Sequence, residues 1–163
     1  MRVSAKADYA VRAAAELAAA DEGPVKGERL AEAQDIPLQF LEHILLELKH
    51  QGIIRARRGA KGGYWLARPA DEVTIADVVR AVEGPIADVQ STPPEAIEYT
   101  GNAEKLRDVW VAVRASLRSV LENVTLADLV SGELPAIVEE LTAAPEAWQA
   151  STGTKEMVAK SRS

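Results

Sequence analysis

Apolar residues recur along this chain mostly at helical intervals, interrupted by one stretch that alternates between residues 53 and 66. Ala7, Ala10, Val11, Ala14, Leu17 and Ala18 follow Ser4 at helical spacing, which predicts a first helix with Ser4 as its N-cap. Gly23-Pro24 breaks that pattern, and Val25 is read as a very short extended piece. A short amphipathic helix is expected over 28–34, with Leu30, Ala31 and Ala33 as its apolar content. Asp35-Ile36-Pro37 then turns the chain, Pro37 being suited to the first turn of a helix. The second helix is expected from about Pro37 to Gln51, with Phe40, Leu41, Ile44, Leu45 and Leu48 on one apolar face and Gly52 as its stop. Two helices joined by so short a turn read as a helix-turn-helix, a weak signal by itself.

The following residues strengthen it. Ile53-Ile54-Arg55-Ala56-Arg57 is β-branched and alternating, so Arg55 and Arg57 share one face of a strand. Arg58-Gly59-Ala60-Lys61-Gly62-Gly63 is a glycine-rich basic tip, and Tyr64-Trp65-Leu66 returns as the second strand. The fold class expected is therefore mainly α with a small β-hairpin wing. Glycines there allow a tight turn and close approach to a duplex, and Arg58 and Lys61 point cations at phosphates or into a groove. The plainer alternative is a surface hairpin whose glycines serve only the turn.

Thr74 is placed to cap a helix running to about Glu83 and closed by Gly84-Pro85. Residues 85–101, which include Ser91-Thr92-Pro93-Pro94, show little periodicity and read as an irregular connector. From Asn102, a plausible N-cap, a long helix is expected to about Asn123. Leu106, Trp110, Val113, Leu117 and Val120 form a coiled-coil-like seam along it, widened by Val109 and Leu121. Such a stripe calls for a partner helix, most simply from a second copy of the chain, or else packing on the first helix. A short capped helix over 125–130 ended by Gly132, and another over 134–141, complete the periodic part. Residues 151–163 read as disordered. The division expected is a DNA-binding head over 1–84, a connector over 85–101, a dimerisation region over 102–132 and a C-terminal arm over 133–163.

Charge sharpens this picture. The 163 residues carry 19 Lys+Arg against 25 Asp+Glu, a formal net charge of −6 that at face value argues against nucleic-acid binding. The sign is unevenly spread: up to Arg68 there are 11 basic and 9 acidic residues, beyond it 8 and 16. Lys49, Arg55, Arg57, Arg58, Lys61 and Arg68 lie in a block without one acid, a candidate anion-binding surface. The chain has no cysteine, which excludes disulfides, a thiolate nucleophile and Cys-ligated zinc or iron–sulfur centres. No run approaches the ~20 apolar residues that span a bilayer, and no signal-peptide pattern opens the chain, so a cytoplasmic protein with no membrane partner is expected.

The stretch DIPLQFLEHILLELKHQGIIRARRGAKGGYWLAR, Asp35 to Arg68, closely resembles the Rrf2 family of bacterial winged-helix regulators, with FLEHIL on its second helix and RGAKGGYWLAR as its wing. KADYAVRA near the start and TIADVVRAVEG after the wing resemble the family's flanking helices, so the similarity runs over about 1–132. The resemblance implies a homodimer held by the long helix, binding a roughly palindromic operator with one winged helix per half-site. It carries Gln39, Glu42 and His43 into the role of recognition-helix contacts and Arg58 into that of the wing contact. Glutamine pairs with adenine and a carboxylate accepts from cytosine N4, which suits those positions. His43 stands where the family usually has Gln, and Gln39 where a small or hydroxyl residue is frequent, so no operator sequence is carried over. Phe40, on the apolar face, is read as core and not as a base-stacking side chain.

Members of the family that hold an iron–sulfur cluster carry three cysteines in the connector, and here it has none. Asp8 matches an aspartate ligand of one branch, but alone it reads as a helix-start carboxylate, favourable near the positive end of the dipole. His43 and His50 lie two turns apart, too far to share one metal. No cluster, no metal and no other cofactor is expected, and the signal is left to a small molecule or a protein. No catalytic arrangement of Ser, His and Asp and no phosphate loop is present, so an enzyme is not expected. The rival reading is a winged-helix protein-interaction module with little or no specific DNA binding. Trp110 packs the dimer or lines an effector pocket beside the connector.

Overall fold

The computed structural model describes residues 2–21 and 23–150. Seven helices and one hairpin follow in chain order among these: α1 Ala5–Ala19, α2 Gly27–Gln34, α3 Leu38–His50, β1 Ile54–Arg57, β2 Gly63–Leu66, α4 Ile75–Glu83, α5 Leu106–Leu121, α6 Leu126–Ser131 and α7 Ala136–Thr142. The segment expected to be disordered, 151–163, lies outside the described residues.

The architecture is mostly helical with a two-stranded antiparallel hairpin, as the periodicity foretells. Ser4 caps α1, its hydroxyl accepting from the Ala7 N–H at 3.0 Å. Ala7, Ala10, Ala13, Ala14 and Leu17 bury one small-residue face of α1, so its neighbours approach closely. Leu30, Leu41, Ile44, Leu45, Leu48, Ile54, Val73 and Val78 fill the same core. Burial of each such side chain stabilises by about 1.5–3 kcal/mol relative to exposure. Leu126 joins this core from α6, more than a hundred residues after α1.

Two capping boxes stand back to back. Thr74 Oγ1 accepts from the Asp77 N–H while the Asp77 carboxylate accepts from the Thr74 N–H, and Thr125 and Asp128 repeat the arrangement. Between them Ile75 donates to the Val124 carbonyl and Leu126 to that of Val73, both at 2.9 Å, fastening the start of α4 to the start of α6.

Three sequence expectations need correction. Phe40 is not core: it is 38% exposed, with its ring edge-on to Tyr9 at 5.6 Å between centroids. Its spacing puts it at the margin of the apolar stripe, where only Tyr9 covers it. Ala33 is exposed on the outer side of α2. Asn102 does not cap the long helix; it lies in a 3₁₀ turn over Gly101–Ala103, and α5 starts after Lys105, which offers no side-chain cap.

α5 stands apart. It packs against the connector's 3₁₀ turn at Pro94–Ala96 and against α4 and α7, yet none of its residues is buried. Arg114 pairs with Glu95 at 2.7 Å, and Glu122 accepts from both Arg80 of α4 and Arg118. The hydrogen bonds from Arg80 and Arg118 hold the Glu122 carboxyl below the usual carboxylate range. For Glu95 the first cause is its own backbone N–H, then Arg114; for Asp128 it is the Thr125 N–H, then the Thr125 hydroxyl. A carboxyl depressed in the folded state adds stability at neutral pH that disappears as pH falls through its folded-state value. Glu122→Gln is thus expected to lie below the parent in urea midpoint at neutral pH, with the gap closing below about pH 4. A gap independent of pH would mean that the carboxylate's charge is not what holds α4 to α5.

Candidate nucleic-acid interface

The short turn between α2 and α3 is set by Asp35, which adopts the left-handed conformation (φ 50°), and by Ile36, buried beneath it. α3 buries Leu41, Ile44, Leu45 and Leu48, which fixes the opposite face outward. Gln39, Glu42, His43, Leu46 and Lys49 are exposed there in one stripe, and Leu46 is 49% exposed.

The wing pairs Ile54 with Leu66, Arg55 with Trp65, Ala56 with Tyr64 and Arg57 with Gly63. Alternation puts Arg55, Arg57 and Trp65 on the outer face, as the sequence predicts for the two arginines. Val25 forms an isolated antiparallel bridge beside β2, exchanging hydrogen bonds of 2.8 Å with Tyr64 in both directions. The tip glycines have internal reasons to be glycine. A Cβ on Gly62 would stand 2.0 Å from the Arg57 carbonyl oxygen, and one on Gly63 (φ 147°) 2.6 Å from that of Val25. Two cations hold the tip from below: Lys26 Nζ donates to the Gly59 carbonyl at 2.7 Å, and Arg57 Nη2 to that of Lys61 at 3.0 Å.

α3 and the wing face each other across an open groove of about 490 Å³. It brings together Glu42, Arg57 and Arg58, with Lys26, Leu46 and Lys49. Gln39 and His43 continue the exposed stripe toward the start of α3, while Arg55 lies on the outer wing face and Lys61 at the tip. Lys26 went unrecognised in the sequence because its partner Gly59 is 33 residues away; no local pattern signals that contact. Lys49 and Leu46 were recoverable from α3's helical spacing alone.

Ion pairing separates these cations from the rest. Arg68, Arg80, Lys105, Arg107, Arg114 and Arg118 all stand within 4.0 Å of a carboxylate oxygen. Among the described residues Lys26, Arg29, Lys49, Arg55, Arg57, Arg58 and Lys61 do not, although the chain as a whole is acidic. Of these, Lys26, Lys49, Arg57 and Arg58 line the groove between α3 and the wing, whereas Arg29 borders the cavity beside α2 with Glu16 and Asp21.

The profile of the Rrf2 family, described as an iron-dependent transcriptional regulator, matches residues 3–132. The chain belongs to the Rrf2 family. An HTH-type transcriptional regulator of Mycobacterium tuberculosis (strain ATCC 25618 / H37Rv) is 51% identical over 142 residues, covering 86% of this chain and 88% of that relative. The HTH-type transcriptional regulator CymR of Bacillus subtilis is 33% identical, covering 80% of this chain and 91% of its own. The solved structure of that CymR, a global cysteine regulator, superposes with a TM-score of 0.68 at 32% identity, over 81% of this chain and 98% of its own. The IscR of T. potens gives 0.66 at 30% identity, over 97% and 96%. This Rrf2 protein is thus a DNA-binding transcriptional regulator with a winged-helix fold; its family and relatives are regulators, not enzymes.

An iron–sulfur cluster does not fit the residues this Rrf2 chain offers. It has no thiolate at all, and among the described residues no three His, Asp or Glu side chains converge on a metal position. Asp8 is engaged by Arg12 one turn along α1 at 3.0 Å. Among the described residues no helix is long and apolar enough to cross a membrane.

Proposed function

We propose that this protein is a homodimeric, sequence-specific repressor whose α3 enters the major groove while the wing tip contacts the flanking groove. The observation that carries the reading is the groove between α3 and the wing, where Lys26, Lys49, Arg57 and Arg58, cations without a carboxylate partner among the described residues, come together. Gln39, Glu42 and His43 read base edges, and Arg55, Arg57, Arg58 and Lys61 meet phosphates or the groove beside them. Arg57 does so as part of the tip it holds. Leu46 suits the methyl group of a thymine.

Two copies join through α5, along Leu106, Val109, Trp110, Val113, Leu117, Val120 and Leu121. What supports this is that the seam is apolar and yet nowhere buried in one chain; Val109 is 51% exposed. A two-fold dimer matches a roughly palindromic operator, one head per half-site. Residues 1–84 then serve as the head, 85–101 as connector, 102–132 as dimerisation region and 133–163 as an arm. The regulator works in the bacterial cytoplasm, on the nucleoid when bound, and its signal is a small molecule or protein instead of a cluster.

The test is binding to a duplex recovered by the protein from fragmented genomic DNA. The logarithm of the affinity should fall with log salt at a slope of about −0.9 per phosphate neutralised. Arg58→Ala should weaken specific binding by about 1–3 kcal/mol, and Lys61→Ala should flatten the salt slope by about one. A flat salt response with unaffected variants would point to the protein-interaction reading.

A further inference from the structure

An open cavity of about 480 Å³ lies on the other side of the wing, between the end of α1 and the wing's outer face. Leu17, Pro24, Trp65 and Leu66 give it apolar and aromatic walls, and Arg57 and Arg68 reach it as cations. Its described lining has no carboxylate. The groove beside α3 includes Glu28 and Glu42, the cavity beside α2 Glu16 and Asp21, and the one at the connector Asp88 and Glu95. Volume and lining are those of a small-molecule site, with few polar groups set in apolar surroundings.

Both guanidiniums have donors to spare. Arg68 uses one N–H on the Glu72 carbonyl at 3.1 Å and approaches Asp77 at 3.5 Å; Arg57 uses one on the Lys61 carbonyl. Five N–H groups per guanidinium leave forks for a bidentate acceptor. Gly63 stands across from Arg57, with the Val25 backbone packed where its side chain would be. Arg57 borders this cavity and the α3 groove at once.

We propose that the cavity binds a small organic carboxylate with a flat apolar body, the ring lying against Trp65 and the carboxylate held by Arg57 and Arg68. Binding is transmitted through Arg57. A carboxylate that draws the Arg57 guanidinium into the cavity moves its Nη2 off the Lys61 carbonyl and loosens the tip that carries Arg58 and Lys61, so DNA affinity falls. This coupling rests on the DNA-binding reading above; occupancy of the cavity does not. By linkage, bound DNA weakens the carboxylate's affinity by the same factor.

Phenylacetate is the probe, with the indole N–H resonance of Trp65 in the ¹⁵N-labelled full chain as readout, identified by its loss in Trp65→Phe. Phenylacetate should shift that resonance saturably, while those of Trp110 and Trp148 stay fixed. Phenylacetamide and inorganic phosphate should not shift it. Arg57→Gln and Arg68→Gln should each weaken binding about tenfold, the loss of one charge-assisted contact. An unchanged far-ultraviolet circular dichroism spectrum and urea midpoint show that these variants remain folded. In the parent chain saturating phenylacetate should lower affinity for the selected duplex, and in Arg68→Gln the same concentration should have little effect. Equal shifts with phenylacetamide, the same shift with phosphate alone, or no shift with phenylacetate overturns the site. A saturable shift with unchanged DNA affinity overturns the coupling through Arg57, whereas a chain that binds no DNA under any condition counts against the regulator reading and leaves the site standing.

Discussion

Trp110→Asp in the full chain is expected to sediment as a monomer and to lose about 10²–10⁴ in affinity for a palindromic duplex while keeping its fold. The size follows from tethering. Two heads on one α5 pair bind their half-sites as one ligand, and the second engagement is governed by effective concentration and not by a fresh collision. The fold should survive because α5 lends no buried residue to the core of a single chain. A carboxylate in the middle of an apolar seam is unpaired and desolvated only when two chains meet, so the penalty falls on association. Val113→Asp is the companion variant, one turn further along the same stripe. Circular dichroism should match the parent for both, and affinity for a single half-site should be nearly unchanged. A variant that stays dimeric would move the interface off α5.

Gly62→Ala is the second large effect, and it acts through sterics. The added methyl has the Arg57 carbonyl oxygen at 2.0 Å and the Arg58 carbonyl carbon at 2.7 Å, both backbone atoms that no rotamer change relieves. The hairpin tip must therefore rearrange, breaking the 3.0 Å hydrogen bond from the Gly62 N–H to the Gly59 carbonyl and displacing Arg58 and Lys61. Gly59→Ala is the control. It meets open space but sits at φ 103°, so it costs about 1–3 kcal/mol of backbone strain without a collision. Gly62→Ala should bind the selected duplex at least as weakly as Arg58→Ala, whereas Gly59→Ala should fall between that variant and the parent. If Gly62→Ala bound like the parent, the tip would not be held in the shape described.

Much of this architecture was legible in the residues because its signals are local. Ser4 and Thr74 cap the helices they precede, Gly52 and Gly132 follow the helices they end, and the Ile54–Arg57 alternation separates the arginines from the core. The family resemblance was carried by the wing motif, whose glycines the backbone requires at Gly62 and Gly63. What escaped depends on distant partners. Phe40 matches the apolar spacing of α3, but its place against Tyr9 at the edge of the core is decided by where α1 crosses. Asn102 has a good capping side chain, yet the backbone there forms a 3₁₀ turn and the helix begins later. Lys26 and its hold on Gly59 belong to the tertiary fold alone. The site was legible in part for the same reason: Glu42 and Arg58 announce themselves by position, while their meeting across one groove does not.

The fastening of α4 to α6, with Leu126 seated among the residues of α1, has a bearing on biosynthesis. The head's interior is finished by a side chain that leaves the ribosome only after the whole of α5 has been made. Contacts of such long sequence separation close late in folding. A chain interrupted between residues 67 and 125 carries the α3 stripe and the wing but lacks the plug that completes their support. On the DNA-binding reading proposed above, release from the ribosome would deliver the α3 stripe, its support and the α5 seam together.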